Sequence, residues 1–180
     1  TIECSAKGIR LPRLGLWLDP HRAQAGPELV FVSHAHSDHI GRHREVVLTA
    51  ATDRLMQARL GGERLKHVCA FGEPRSFQSG DIPFTITLLP AGHILGSAMV
   101  LLERSGGTLL YTGDFRLRAS PACEPCDFCR AIGCDWLVME TTFGRPEYVF
   151  PPPAEVAEQL LRFCREALAA GETPVLLGWT

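Results

Sequence analysis

Three histidines and an aspartate crowd into six residues at the end of an apolar run. The segment His34-Ala35-His36-Ser37-Asp38-His39 follows directly on Val30–Ser33, which reads as a short strand. A strand that ends this way opens into a turn or helix start from which all four side chains can aim inward. Each imidazole or carboxylate beside an apolar strand must be desolvated and then satisfied, so four by accident is an expensive arrangement. Imidazole and carboxylate are also the ligands of zinc and other first-row divalent ions. The isolated His21, His43 and His67 have no such company and read as ordinary surface residues.

Two later segments fit the same site. His93 lies in Pro90-Ala91-Gly92-His93-Ile94-Leu95-Gly96-Ser97, between two apolar runs, where the glycines permit a tight backbone. Asp114 lies in Tyr111-Thr112-Gly113-Asp114-Phe115, immediately after a run that reads as a strand. Each is weak evidence alone. Together with the His34–His39 run they form a far more specific set.

Composition narrows the class. Of 180 residues, 46% are apolar and 21% charged, which excludes a disordered, collagen-like or coiled-coil chain. No run approaches ~18 uninterrupted apolar residues, so no membrane span is expected. The net charge of −2 excludes a polycation, although a local basic groove remains compatible with it. Seven cysteines, an odd number unevenly spread, do not form a secreted disulfide framework, and a cytoplasmic location is expected. The chain begins at Thr1, and Val175–Thr180 reads as a strand cut off as it ends, so a piece of a longer protein is expected.

Periodicity predicts many strands and few helices. Residues 2–18 suggest β-hairpins; Val68–Phe71, Thr85–Leu89, Ala98–Glu103, Thr108–Tyr111 and Trp136–Met139 read as strands. Ala51–Leu60 reads as a helix ended by Gly61-Gly62. Ala154–Ala169 is a second, with Val156, Leu160, Leu161, Cys164 and Leu168 at helical spacing after a Pro151-Pro152-Pro153 boundary. The mixture predicts an α/β or α+β sandwich.

The run His34-x-His36-x-Asp38-His39, followed by His93 and Asp114, resembles the metallo-β-lactamase superfamily. The resemblance implies an αββα sandwich holding two divalent metal ions, zinc or alternatively manganese. It assigns His34, His36 and His93 to one ion, Asp38 and His39 to the other, and Asp114 to both. Asp19, before Pro20, matches an acid that supports the ligand loop; a simple turn aspartate is the alternative. Glu140-Thr141-Thr142-Phe143-Gly144, at the end of a strand, is similar to a motif of the β-CASP nuclease branch, with Phe143 where tyrosine is more usual. Within that branch the run looks closest to ligase-associated DNA exonucleases and mRNA 3′-end processing factors.

The resemblance further implies an incomplete metallo-β-lactamase domain over 1–148 and the start of a β-CASP domain over 149–180. The implied activity is metal-dependent hydrolysis of DNA or RNA phosphodiester bonds, with Asp38, Asp114 and Glu140 in the catalytic neighbourhood. Nucleic acid is the implied partner, with a DNA ligase or helicase as associate and no membrane. Other readings are a hydrolase of a thioester, lactone or β-lactam, and a non-catalytic nucleic-acid-binding module. The family's remaining metal histidine and catalytic histidine are expected beyond residue 180, so the chain alone is expected to cleave poorly. Arg116 and Arg118 are candidates for phosphate contacts, a solvated charge pair being the alternative. Cys123, Cys126, Cys129 and Cys134 have the spacing of a metal clip, but free or partly buried thiols are the favoured reading.

Overall fold

The computed structural model describes residues 1–24 and 26–177. Its chain falls into two compact units, Thr1–Glu140 and Thr141–Thr180.

The first unit is built on two sheets. One runs in sequence order: β1 (Glu3–Ser5), β2 (Gly8–Leu11), β3 (Leu16–Leu18), β4 (Leu29–Phe31), β5 (Glu45–Leu48) and β6 (Leu65–Val68). The first three strands are antiparallel and β3 to β6 are parallel. The other holds β7 (Arg75–Ser79), β8 (Ile82–Pro90), β9 (Ala98–Arg104), β10 (Gly107–Tyr111) and β11 (Trp136–Val138), antiparallel except for β10 beside β11.

Side-chain alternation explains the layers. Along β4 and the next residue, Leu29 and Phe31 face one way and Val30 and Val32 the other, as a period of two demands. Leu29 and Phe31 join Leu16, Leu18 and Val47 in the core between the sheets, against Ile86, Leu88, Val100 and Leu102. Val30 and Val32 pack with Val46, Leu48 and Met56 on the outer face. Met56 belongs to α1 (Ala50–Leu60), whose first turn is capped by Thr49 Oγ1 accepting from Thr52 N–H at 3.2 Å. Both faces of β4 are therefore buried, which is why it reads as an unbroken apolar run. On the outer face of the second sheet, Leu89, Met99, Leu101 and Leu110 are covered by the irregular segment 115–134 through Phe115, Cys126, Ala131 and Cys134.

This is the α/β sandwich class expected. Several elements differ in detail. The strand expected at Val68–Phe71 lies earlier, at Leu65–Val68, and Phe71 makes only an isolated bridge to Leu88. Strands β5 and β7 were not expected. His43 is a correction: it is buried at 2% exposure rather than on the surface. His67 is half-buried and meets Glu45 at 2.7 Å, whereas His21 is exposed.

In the second unit, α2 (Pro153–Ala169) starts at a proline in its first turn and has no buried residue. Phe143 packs edge-on against Tyr148 and Phe150. Val175–Leu177 form no strand, and Gly178–Thr180, the rest of the strand expected there, lie outside the described residues. No helix among the described residues is long and apolar enough to cross a membrane.

Candidate metal centre

The ligand loop leaves the end of β4 in the middle of the first sheet. Its first residue, Ser33, is fully buried, and its N–H donates to Asp19 Oδ1 at 2.8 Å. Asp19 follows β3, the neighbouring strand, and adopts φ +41, an uncommon conformation for a residue with a Cβ. That turn brings its carboxylate under the loop. Asp19 Oδ2 accepts from Tyr111 Oη–H at 2.9 Å and lies 3.1 Å from His39 Nδ1, off the line of a hydrogen bond. A buried carboxylate at His39 Nδ1 turns the Nε2 edge of that ring toward Asp38 Oδ2 (3.7 Å) and Asp114 Oδ1 (3.5 Å).

The second sheet supplies His93 and Asp114. His93 sits in the loop between β8 and β9, where its N–H donates to Ser97 Oγ at 3.0 Å. Ala98 N–H, at the start of β9, donates to Ser33 O at 2.8 Å, a backbone bond that ties this loop to the ligand loop of the other sheet. Asp114 follows β10 through Gly113, which has φ +52. A Cβ on Gly113 would lie 2.6 Å from Ser33 Cβ, so only glycine lets the two loops approach this closely.

The result is a convergent donor set. One ligand atom each from His34, His36, His93 and Asp114 lies within 4.8 Å of the others, and this is the one such group of three or more among the described residues. His36 Nδ1 is 2.9 Å from His34 Nε2 and 3.2 Å from His93 Nε2. Asp114 Oδ2 is 3.8 Å from His34 Nε2 and 3.7 Å from His93 Nε2. A tetrahedral ion with bonds of about 2.0–2.1 Å needs ligand-to-ligand edges of about 3.3 Å, which these distances bracket. Ser33 Oγ, 2.9 Å from His34 Nδ1, can accept a hydrogen bond from Nδ1–H, the tautomer that leaves Nε2 a lone pair.

Electrostatics suit cation binding. Burial, and after it the neighbouring His39, His93 and His36 rings, hold His34 at about 2, so it is neutral. Burial also lowers His36 and His93, the latter against the pull of Asp114. Burial opposes charge on His39, but Asp19, Asp114 and Asp38 outweigh it and raise its pKa. Burial raises Asp114, partly offset by His39 and His93. Three neutral imidazoles facing one another across about 3 Å is a lone-pair arrangement that a cation satisfies and protons satisfy poorly. A divalent ion fits the group of His34, His36, His93 and Asp114, and Asp114 offers its second oxygen toward His39 at 3.5 Å.

The other expected residues fall at different distances from this centre. Glu140 is half-buried at the end of β11, where its Oε1 faces Phe115 N at 3.5 Å and its charge acts on both His93 and Asp114. Arg116 and Arg118 are exposed, and the Arg116 charge is felt at His93. The four cysteines do not gather their sulfurs into a ligand group. Cys126 and Cys134 pack against the apolar outer face of the second sheet, Cys123 Sγ–H donates to Gly92 O, and Cys129 is exposed. Sequence reasoning assigned no role to Ser33, Tyr111 or Ser97, although all three lie inside the segments that carry the ligands. Their partners are 1 to 92 residues away, and no spacing rule reveals that.

No family model matches the chain. It is 48% identical over 174 residues to a protein named probable DNA ligase from Opitutus terrae, covering 96% of this chain and 16% of that protein. It is 36% identical over 153 residues to the 5′ exonuclease Apollo of Gallus gallus, covering 80% and 32%. It is 29% identical over 169 residues to the DNA cross-link repair 1A protein of Mus musculus, covering 88% and 16%. The chain thus spans between 16% and 32% of the length of these relatives. A crystal structure of a protein of unknown function from Enterococcus faecalis V583 shares the fold at a TM-score of 0.51 and 18% identity, covering 77% of this chain and 39% of that one. Two sheets with a His-x-His-x-Asp-His loop between them define the metallo-β-lactamase class. Within that class, the chain belongs to the β-CASP nuclease group.

Proposed function

We propose that the chain carries the metal-binding core of a nuclease that hydrolyses phosphodiester bonds in DNA or RNA. The observation that carries this reading is the convergence of His34, His36, His93 and Asp114 where the two sheets meet. The names of the relatives support a nucleic-acid substrate, and the ligase-named relative supports association with a DNA ligase.

In this reading His34, His36 and His93 would hold one ion, Asp38 and His39 would help hold a second, and Asp114 would contribute to both. Zinc is the first choice for three imidazoles and a carboxylate, with manganese second. Divalent ions held there supply Lewis acidity, making water acidic enough to attack near neutral pH and offsetting charge on a phosphate. The chain's own groups do the rest. Asp19 and Ser33 fix which ring nitrogens face inward. Asp38, the most exposed acid of the set, orients the attacking water. Glu140 adds negative charge beside Asp114 and His93, which strengthens cation binding. Arg116 and Arg118 lie just past Asp114 and contact substrate phosphates. Residues from 149 onward begin a β-CASP domain.

The test uses the polypeptide as the cell makes it, with end-labelled single-stranded DNA and RNA. Wild type cleaves at least one of them with zinc or manganese present, and chelation, Asp38→Ala or Asp114→Ala abolishes cleavage. Cleavage that survives chelation and both substitutions sinks the proposal.

A further inference from the structure

The segment that follows Asp114 does more than cover the second sheet. It is bonded at four points to loop 90–97, which carries His93. Arg116 N–H donates to Ala91 O at 2.9 Å, and Asp127 N–H to Pro90 O at 3.0 Å. Cys123 Sγ–H donates to Gly92 O at 3.3 Å, and Gly96 N–H donates to Glu124 Oε2 at 3.0 Å. At Gly92, φ +74, the two backbones touch. A Cβ there would run into Arg116 O and come within 2.9 Å of Cys126 N.

Among these four ties, Glu124 is the one carboxylate. Its partner is the peptide that links the two sheets' loops. Gly96 O accepts from Thr49 Oγ1 at 2.7 Å and Thr52 Oγ1 at 3.0 Å, both at the start of α1 beside the first sheet. Gly96 is therefore gripped on its N–H side by Glu124 and on its carbonyl side by α1. The next residue, Ser97, passes the constraint on: its Oγ accepts from His93 N–H at 3.0 Å and from Ile94 N–H at 3.2 Å.

We propose that Glu124 is a positioning residue for the metal centre. By accepting the Gly96 N–H it fixes the Gly96–Ser97 turn, and through Ser97 it fixes the backbone of His93 where Nε2 completes the group with His34, His36 and Asp114. Gly96 has φ +77 and no side chain; Thr49 and Thr52 hold its carbonyl, and Glu124 is the acceptor that holds its N–H. This inference rests on the reading that the group binds metal. It also gives the cysteine-rich segment a role that needs no ion of its own: it is a strap across the loop that carries a ligand.

The experiment is a Co2+ titration of the full chain against a competing chelator, with the ligand-field absorption recorded, for wild type, Glu124→Ala and Glu124→Gln. Partners that orient a ligand directly are worth about 10- to 100-fold in metal affinity, so one acting through the backbone is expected at the lower end, about tenfold. Glu124→Ala weakens the first-bound ion by that factor, alters the absorption and speeds amide exchange at Gly96, with the melting temperature of the metal-free chain unchanged. Glu124→Gln keeps an oxygen acceptor for the Gly96 N–H and stays within about threefold of wild type. Wild-type affinity in Glu124→Ala overturns the inference, as does a Glu124→Gln loss equal to that of alanine. Should Glu124→Ala not fold, Glu124→Asp decides: withdrawing the carboxylate by one methylene weakens binding if the inference holds, and unchanged affinity overturns it. Failure of wild type to bind Co2+ at all overturns the metal reading itself.

Discussion

Replacing His43 by glutamine should remove most of one acid-sensitive contribution to the stability of the first unit. His43 is buried, its Nδ1 accepts from Gln24 N–H at 3.2 Å, and its Nε2 has no hydrogen-bond partner. Burial, and then the Arg64 charge, hold the ring at about 4 against an ordinary 6.5. The unfolded chain protonates this ring below pH 6.5, whereas the folded chain does so only near pH 4. Its contribution is thus complete above pH 6.5 and drains away as the pH falls toward 4. Linkage sets the ceiling at about 3 kcal/mol. The assay is urea unfolding of metal-free wild type and His43→Gln in steps from pH 7.5 to pH 4.5. Histidines at the metal centre titrate too, but they are common to both proteins and cancel in the difference. The stability advantage of wild type should shrink by about 2–3 kcal/mol across that range. A difference that stays flat with pH would falsify the buried, neutral state of His43.

Three further outcomes rest on the same geometry. Gly113→Ala forces a Cβ against Ser33 and into a left-handed conformation, and should cost about 2 kcal/mol or more in urea unfolding at neutral pH; a cost near zero contradicts the close approach of the two loops. Tyr111→Phe withdraws a buried hydroxyl from Asp19 and should cost about 1–3 kcal/mol in the same assay, with wild-type stability the contrary result. An ion that binds only the folded chain stabilises it by about 2.7 kcal/mol at a free concentration a hundred times its Kd, so chelation should lower the melting temperature of wild type but not of His36→Ala.

The metal loop was legible because its donors are adjacent in sequence and abut the apolar strand β4. His93 and Asp114 were legible only as members of a set, since each needs the other sheet to give it meaning. What escaped sequence reading is mostly contact across distance. The partners of His43 are Gln24 and Arg64, 19 and 21 positions away, so nothing local distinguishes it from His21. Strand β7, Arg-Ser-Phe-Gln-Ser, is a polar edge with Phe77 as its one apolar residue, and it exists because β8 pairs with it. The four cysteines are the free or partly buried thiols that the favoured reading expects. Their spacing suggests shared chemistry, yet Cys126 and Cys134 are apolar filler on the inner side of the strap while Cys129 is exposed.

The convergent group draws His34 and His36 from one sheet and His93 and Asp114 from the other, with Asp38 and His39 beside it, across a seam where Ala98 N–H meets Ser33 O. An ion with high affinity for the finished group therefore has no finished group to bind until the sandwich has closed. Capture of the proposed ion would be a late event in the life of a new chain. An ion held as proposed would act as a rivet through both layers: it would have to leave before the sheets could part, tying the rate of opening to the rate of metal loss.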